Sequence, residues 1–312
     1  AKATLMGRDI TFDQQGKYNL RIRKTLETVY LHYEGDRECE EFKAFEVYLK
    51  RIWFASGIHH HYGCEKFKPG FSEEYFYHLL ENIGEELLPI KRGETKEDLM
   101  RQLESILFDP EVMPKRVNQT DGEDLVLTSA CNFYEDVTQE EVERFYAKMK
   151  KTDNPNPPSY GLNSKLIKRN NEVVELTWKE DGLYGETIRE IVSWLLKAQK
   201  YAENEGQKHV IDLLVKFYRT GSLEDFDRYS IAWVEQHEGL VDFINGFIEV
   251  YGDPLGMKGT WEGIVEYKDL EATQRTQTIS QNAQWFEDHS PVDPRFRKPE
   301  VKGVTANVIC AA

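Results

Sequence analysis

Apolar residues recur at three- and four-residue steps through the first half of the chain. Phe42, Phe45, Leu49, Ile52 and Trp53 predict one amphipathic helix over 38–55, stopped near Gly57. Tyr75, Phe76, Leu79, Leu80, Ile83 and Leu87 share one face of a second. Ser72 stands just before it, where a hydroxyl can accept from an unpaired first-turn N–H. Thr95 with Asp98 opens a third helix, which carries Leu99, Leu103, Ile106 and Leu107. Asp109-Pro110 closes it, because a residue before proline avoids the helical region. Thr138-Gln139-Glu140-Glu141 is a capping box ahead of Val142, Phe145 and Met149.

The pattern then changes. Residues 152–159 hold three prolines in eight positions and read as a linker. Leu166-Ile167 and Val173 to Trp178 read as paired strands turning at Arg169-Asn170-Asn171. Helices follow at about 184–203, 206–219 and 222–236, marked by Ile188, Ile191, Val192, Leu195 and Leu196, then by Val210, Leu213, Leu214 and Phe217. Residues 240–251 are apolar with few helix caps, and Gly252-Asp253-Pro254 is a strong turn signal. Residues 260–267 alternate as a strand does, 268–287 form a polar helix, and a proline-rich crossing at 290–299 leads to a final apolar strand over 303–311. The fold class that results is α+β and mainly helical.

Composition limits what such a chain can do. Its 312 residues suggest two domains or lobes. Forty Lys and Arg against 55 Asp and Glu leave a net charge of −15, the wrong sign for a protein built to grip nucleic acid. Aromatic residues make up 12% of the chain, too rich a load for an acidic disordered tail. No apolar run approaches the ~20 residues that cross a bilayer, so no membrane partner is expected. Cys39, Cys64, Cys131 and Cys310 are widely spaced with no C-x-x-C, which reads as free thiols in a reducing, cytoplasmic setting. The chain starts without Met or a signal-peptide pattern and ends on apolar Ile309-Cys310-Ala311-Ala312; both ends read as cut.

The chemistry-bearing motifs are mostly incomplete. There is no phosphate-cradling glycine loop and no G-x-S-x-G elbow. His59-His60-His61 could supply metal ligands, but adjacent side chains diverge; a helix C-terminus, where a cationic His meets the negative end of the dipole, suits them better. His237-Glu238 lacks the second imidazole of a zinc-peptidase helix, since position 241 is Val, so it reads as a surface helix end. Asn118-Gln119-Thr120 fits the glycosylation pattern, which is often met by chance. Acidic runs such as Glu38 to Glu41 are helix starts favoured by the macrodipole. On residues alone the chain holds no complete catalytic constellation.

Three stretches nevertheless resemble bacterial dipeptidyl peptidase III: Gly7-Arg8-Asp9-Ile10 with the following Tyr18 to Arg23, Val47 to Gly63, and most specifically Gly246 to Gly263. The resemblance implies a zinc exopeptidase that releases dipeptides from peptide N-termini. In that family zinc is held by a His-Glu-x-x-x-His motif and a later Glu, which this sequence does not contain. The chain is therefore expected to be the N-terminal and middle portion, truncated before the zinc motif, inactive alone and binding no metal itself. Its partners would be oligopeptide substrate and the remaining C-terminal part of the enzyme.

The same resemblance implies a lower lobe over 1–262, with a helical part to about 151 and strands plus helices over 160–262, built around a small mixed sheet or barrel surrounded by helices. Residues 263–302 would begin the upper lobe, and 303–312 would return as a strand to the lower-lobe core, beside the edge where substrate adds. Trp233, Asp242 and Asn245 are the expected substrate-binding residues, Asp242 facing the substrate's amino terminus. Relatives carry a Tyr two residues after that acid; here Ile244 stands there, followed by Asn245. No catalytic residue is assigned. The competing reading is a non-catalytic acidic helical module that binds peptides or proteins.

Overall fold

The computed structural model describes residues 1–150, 154–236, 238–301 and 308–311. It opens with α1 (Lys2–Met6), α2 (Arg8–Gln15) and α3 (Asn19–His32), three helices outside the expectations above. Their buried positions include Gln14, Gln15, Asn19, Arg21, Arg23 and Thr25. On α3 these polar groups flank a short apolar stripe, Ile22, Leu26 and Val29. Gln14 shows what the polar groups do. Its Nε2 donates to Gly259 O at 3.1 Å and its Oε1 accepts from Trp261 N at 2.7 Å, completing backbone groups from the far end of the chain.

The locally signalled helices form largely where expected. Cys39 caps α4 (Glu40–Ala55) with its sulfur, and Ser56 ends it at φ 55°. Ser72 caps α5 (Glu73–Glu81), which is shorter than its apolar spacing suggests. Gly84 takes extended backbone, so Leu87 falls in a short 3-10 turn and is exposed. Thr95 and Asp98 complete a reciprocal capping box on α6 (Lys96–Phe108). Helices α3 to α6 share one core, centred on Leu26, Phe45, Leu49, Phe76 and Leu103.

Beyond them come β1 (Tyr134–Glu135), α7 (Gln139–Ala147) with the Thr138–Glu141 box, β2 (Ser164–Arg169) and β3 (Glu172–Thr177). Asn170 and Asn171 both adopt positive φ, the geometry of a two-residue hairpin turn matched to strand twist. β1 runs parallel to β2 and β3 antiparallel to it. Of the proline-rich linker, residues 152–153 lie outside the described residues and 154–157 are exposed.

A second core joins α8 (Gly185–Gln199), α9 (Glu205–Thr220) and α10 (Leu223–Glu235) to another sheet. That sheet is antiparallel: β4 (Val241–Phe247), β5 (Trp261–Lys268) and β6 (Ile309–Ala311). Phe247 packs its ring 4.7 Å from that of Trp178, tying the sheet into this core. The expected single helix over 268–287 is two, α11 (Leu270–Gln281) and α12 (Ala283–Asp288), because Asn282 leaves helical geometry. Of the final strand, 309–311 is seen and 303–307 lie outside the described residues.

The chain is thus α+β and mainly helical, with one mixed and one antiparallel three-stranded sheet among the described residues. All four cysteines are free. No helix among the described residues is long and apolar enough to cross a membrane.

Candidate functional site

Strand alternation divides the second sheet into two unlike faces. Val241, Phe243, Asn245 and Phe247 point to one side of β4; Asp242, Ile244 and Gly246 point to the other. The register pairs Asp242 with Glu266 and Gly246 with Glu262, so Glu262, Ile264 and Glu266 of β5 share the second face. The first face carries Phe247 and Trp261 into the core. The second face is acidic, and two like charges directly opposite each other weaken a sheet. Stability alone does not account for the Asp242–Glu266 pair.

β4 is held at its start from the α8–α9 connection. The Glu203 carboxylate accepts from Leu240 N and Val241 N at 2.8–3.0 Å, and Gln207 Nε2 donates to Val241 O at 2.8 Å. Those backbone donors hold the Glu203 carboxyl below its ordinary range.

The structure brings together two of the three residues expected to bind substrate. Trp233 Nε1, at the end of α10, donates to Asp242 Oδ1 at 3.0 Å, and Phe243 N donates to the same oxygen at 2.7 Å. Both side chains line a small cleft of about 100 Å3 with Gln207 and Lys268. Asn245 faces the other way. It is 2% exposed, and its Oδ1 accepts from Tyr218 OH at 2.6 Å. Tyr218 in turn accepts from Trp261 Nε1 at 3.2 Å. Asn245 borders an apolar cavity of about 550 Å3, among Trp194, Leu195, Ile211 and Phe243. Residues three apart on a strand cannot serve one face.

Sequence reasoning missed a second group, Glu249, Tyr251 and Glu262. β4 and β5 continue past their ends through Ile248 N to Thr260 O at 3.0 Å and Thr260 N to Glu249 O at 2.8 Å. This sets the Glu249 and Glu262 carboxyls against each other. Burial first, and then the Glu249 charge, pushes the Glu262 carboxyl up to about 7. A like charge close to a half-buried carboxyl favours its protonated form. A hydrogen bond to Glu249 pushes the exposed Tyr251 phenol up to about 12. The acid-x-Tyr spacing that Asp242 lacks is therefore met seven residues later, at Glu249-Val250-Tyr251. That spacing was visible in the sequence; the approach of Glu262 was not.

The histidine run departs from expectation. α4 ends at Ala55, so the run is not a helix C-terminus. His59 is 2% exposed, and its Nε2 lies 2.8 Å from Met113 O. Burial pushes it down to about 4, so it is neutral rather than cationic at pH 7. His60 Nδ1 accepts from Tyr62 N and Gly63 N. Among the described residues no group of three or more His, Cys, Asp or Glu could hold a metal ion, so these residues do not fit a zinc site. His237 lies outside the described residues. Asn118, in the glycosylation pattern, is 4% exposed, and its Nδ2 is committed to Glu123 and Thr128 at 2.6 and 2.8 Å; a buried, bonded amide is closed to a glycan.

The chain is similar to known proteins in sequence and in fold. The sequence profile of Peptidase family M49 matches residues 111–303, which include Asp242, Glu249, Tyr251 and Glu262. Dipeptidyl peptidase 3 of Rattus norvegicus is 30% identical over 117 residues, 38% of this chain and 16% of that protein. Dipeptidyl peptidase 3 of Mus musculus is 24% identical over 288 residues, 83% of this chain and 38% of that protein. The chain spans less than two fifths of the length of these relatives. The structure of DPP III from Caldithrix abyssi matches with a TM-score of 0.60 at 16% identity, over 96% of this chain and 44% of its own. Dipeptidyl-peptidase III from Corallococcus sp. strain EGB matches with a TM-score of 0.50, also at 16% identity, over 100% of this chain and 48% of its own. The two structures share the fold, and the profile covers more than half of the sequence: the chain belongs to peptidase family M49.

Proposed function

We propose that this chain forms the lower-lobe, peptide-binding part of a zinc-dependent exopeptidase that releases dipeptides from the free N-terminus of oligopeptides. In this reading residues 1–262 make one lobe, 263–302 begin the other, and 303–312 return as a strand beside the substrate edge. The observation that carries the reading is the Glu249–Glu262 pair beside Tyr251, at one end of an acidic sheet face. An entering ammonium displaces the Glu262 proton and leaves two carboxylates around one cation, the charge-assisted arrangement that holds a free amino terminus. Main-chain bonds at the sheet edge then bind the peptide regardless of its side chains. The zinc chemistry belongs to the remaining C-terminal part of the enzyme, and no step of it is drawn from these residues.

Trp233 and Asp242 are the second candidate for the ammonium subsite. Asp242 and Glu262 stand at strand positions four residues apart, or about 13 Å along the sheet. One ammonium cannot touch both. Asp242 is already engaged by Trp233 and by the backbone N–H of Phe243, whereas Glu262 holds a proton that an ammonium can displace.

The test compares a short peptide bearing a free amine with its N-acetylated twin, titrated against the chain. The free amine is expected to bind at least about tenfold more tightly, with the difference lost in Glu262→Gln and kept in Asp242→Asn. The reverse pattern moves the subsite to Asp242. Equal binding of both peptides overturns the ammonium subsite and favours the competing reading of a peptide-binding module. A second expectation concerns chemistry. With zinc added, the 312-residue chain should not hydrolyse a dipeptidyl arylamide; clear turnover by the chain would overturn the assignment of the metal ligands elsewhere.

A further inference from the structure

The segment that joins Glu249 to Glu262 is a buried turn. Gly252, Asp253, Pro254, Lys258, Gly259 and Thr260 are all buried. Asp253 organises it from within. Its Oδ2 accepts from Met257 N at 2.8 Å and Lys258 N at 2.9 Å, and its Oδ1 accepts from Leu255 N at 3.2 Å. Tyr134 of β1 donates its hydroxyl to Oδ2 at 2.9 Å, tying the turn to the first sheet.

Lys258 makes the second tie. It is 0% exposed, and its Nζ donates to Gly161 O and Ser164 Oγ, each at 3.2 Å, and to the Tyr146 hydroxyl. Tyr146 and Ser164 in turn donate to the Glu175 carboxylate at 2.7 and 2.6 Å. Burial pushes the Lys258 ammonium down to about 8, against the pull of Glu175 and Asp253. Taking such a charge out of water is costly, and an apolar side chain of the same length would pack as well. What the ammonium adds is direction: three fixed acceptors define where residue 258 stands.

From there the geometry runs outward in two short steps. Gly259 N donates to Leu162 O at 2.7 Å, and a Cβ at Gly259 would lie 2.8 Å from the Phe247 carbonyl carbon, so the turn is pressed onto the end of β4. Thr260 then exchanges backbone bonds with Ile248 and Glu249. Glu249 is part of that bridge, and Glu262 follows it by two residues.

We propose that Lys258 is a positioning residue for the Glu249–Glu262 pair: its buried ammonium anchors the 252–260 turn to β2 and α7, and so sets the approach of the two carboxylates. The proposal rests on the pair being the ammonium subsite only for its consequence in binding; the approach itself is read independently.

The test follows the Glu262 side-chain carboxyl by carbon-detected NMR through a pH titration of the wild-type chain, Lys258→Met and Lys258→Arg. Free-amine peptide binding is measured on the same samples. In folded Lys258→Met the Glu262 midpoint should fall by about one pH unit or more, as the carboxylates part and water reaches them; peptide affinity should fall about tenfold. Lys258→Arg, which keeps charge and donors, should restore both. Lys258→Gln serves if the Met variant fails to fold, with the same downward shift expected. A folded variant without the ammonium whose Glu262 midpoint is unmoved overturns the proposal, whatever its affinity. A shifted midpoint with unchanged binding upholds the positioning role and counts instead against the ammonium subsite.

Discussion

Glu262→Gln should raise the melting temperature at pH 8, and by several-fold less at pH 5. The Glu262 carboxyl is pushed up to about 7 in the folded chain and lies near 4.5 when unfolded. Below the unfolded value both states hold the proton, and the group contributes nothing. As pH rises from about 4.5 to 7 the unfolded chain releases a proton that the folded one retains, so stability falls; above 7 the full cost remains. Glutamine resembles the protonated form, and its advantage therefore grows across that window. The same substitution removes one arm of the proposed ammonium subsite, so peptide binding should weaken as stability improves, the trade-off expected where a fold tolerates repulsion for function. Thermal melts at the two pH values check the first part. A lower melting temperature at pH 8, or equal shifts at both, would show that the Glu262 carboxyl is not raised in the folded chain.

Gln14→Leu should cost about 2–5 kcal/mol of folding stability, because it orphans two buried backbone groups, Gly259 O and Trp261 N, each dear to leave unpaired. Leucine matches the volume and is more apolar, so transfer alone favours it; the backbone partners reverse the sign. Urea unfolding measures the difference. A loss under about 1 kcal/mol would mean that water or a relaxed backbone replaces the side chain. The variant should also loosen the 252–260 turn, because Gln14 grips the strand that leaves it.

The site was only partly readable beforehand. Trp233 and Asp242 do meet, since a helix end and the next strand are joined by a short connection that keeps them close. Asn245 could have been placed on the far face by counting two-residue periods, had 241–247 been read as a strand rather than as an apolar run. Glu249-Val250-Tyr251 carried its spacing openly, but nothing local gives Glu262 its raised proton affinity. That requires a thirteen-residue excursion to return one carboxyl to the other. His59 illustrates the same limit. Its neutrality comes from burial beside Met113, contributed by a segment 54 residues away.

What the sequence by itself determined is whatever a few neighbouring residues can decide: the Thr95–Asp98 and Thr138–Glu141 boxes, the Ser72 cap, the Asn170-Asn171 hairpin and the helical class of the chain. Each is a hydrogen bond or backbone preference complete within one turn. The tertiary structure alone decided the polar burial of α2 and α3, the inward turn of Asn245, and the meeting of Glu249 with Glu262. Those depend on desolvation and on partners from distant segments. A buried polar group takes its meaning from what it faces, and no short window of residues contains that information.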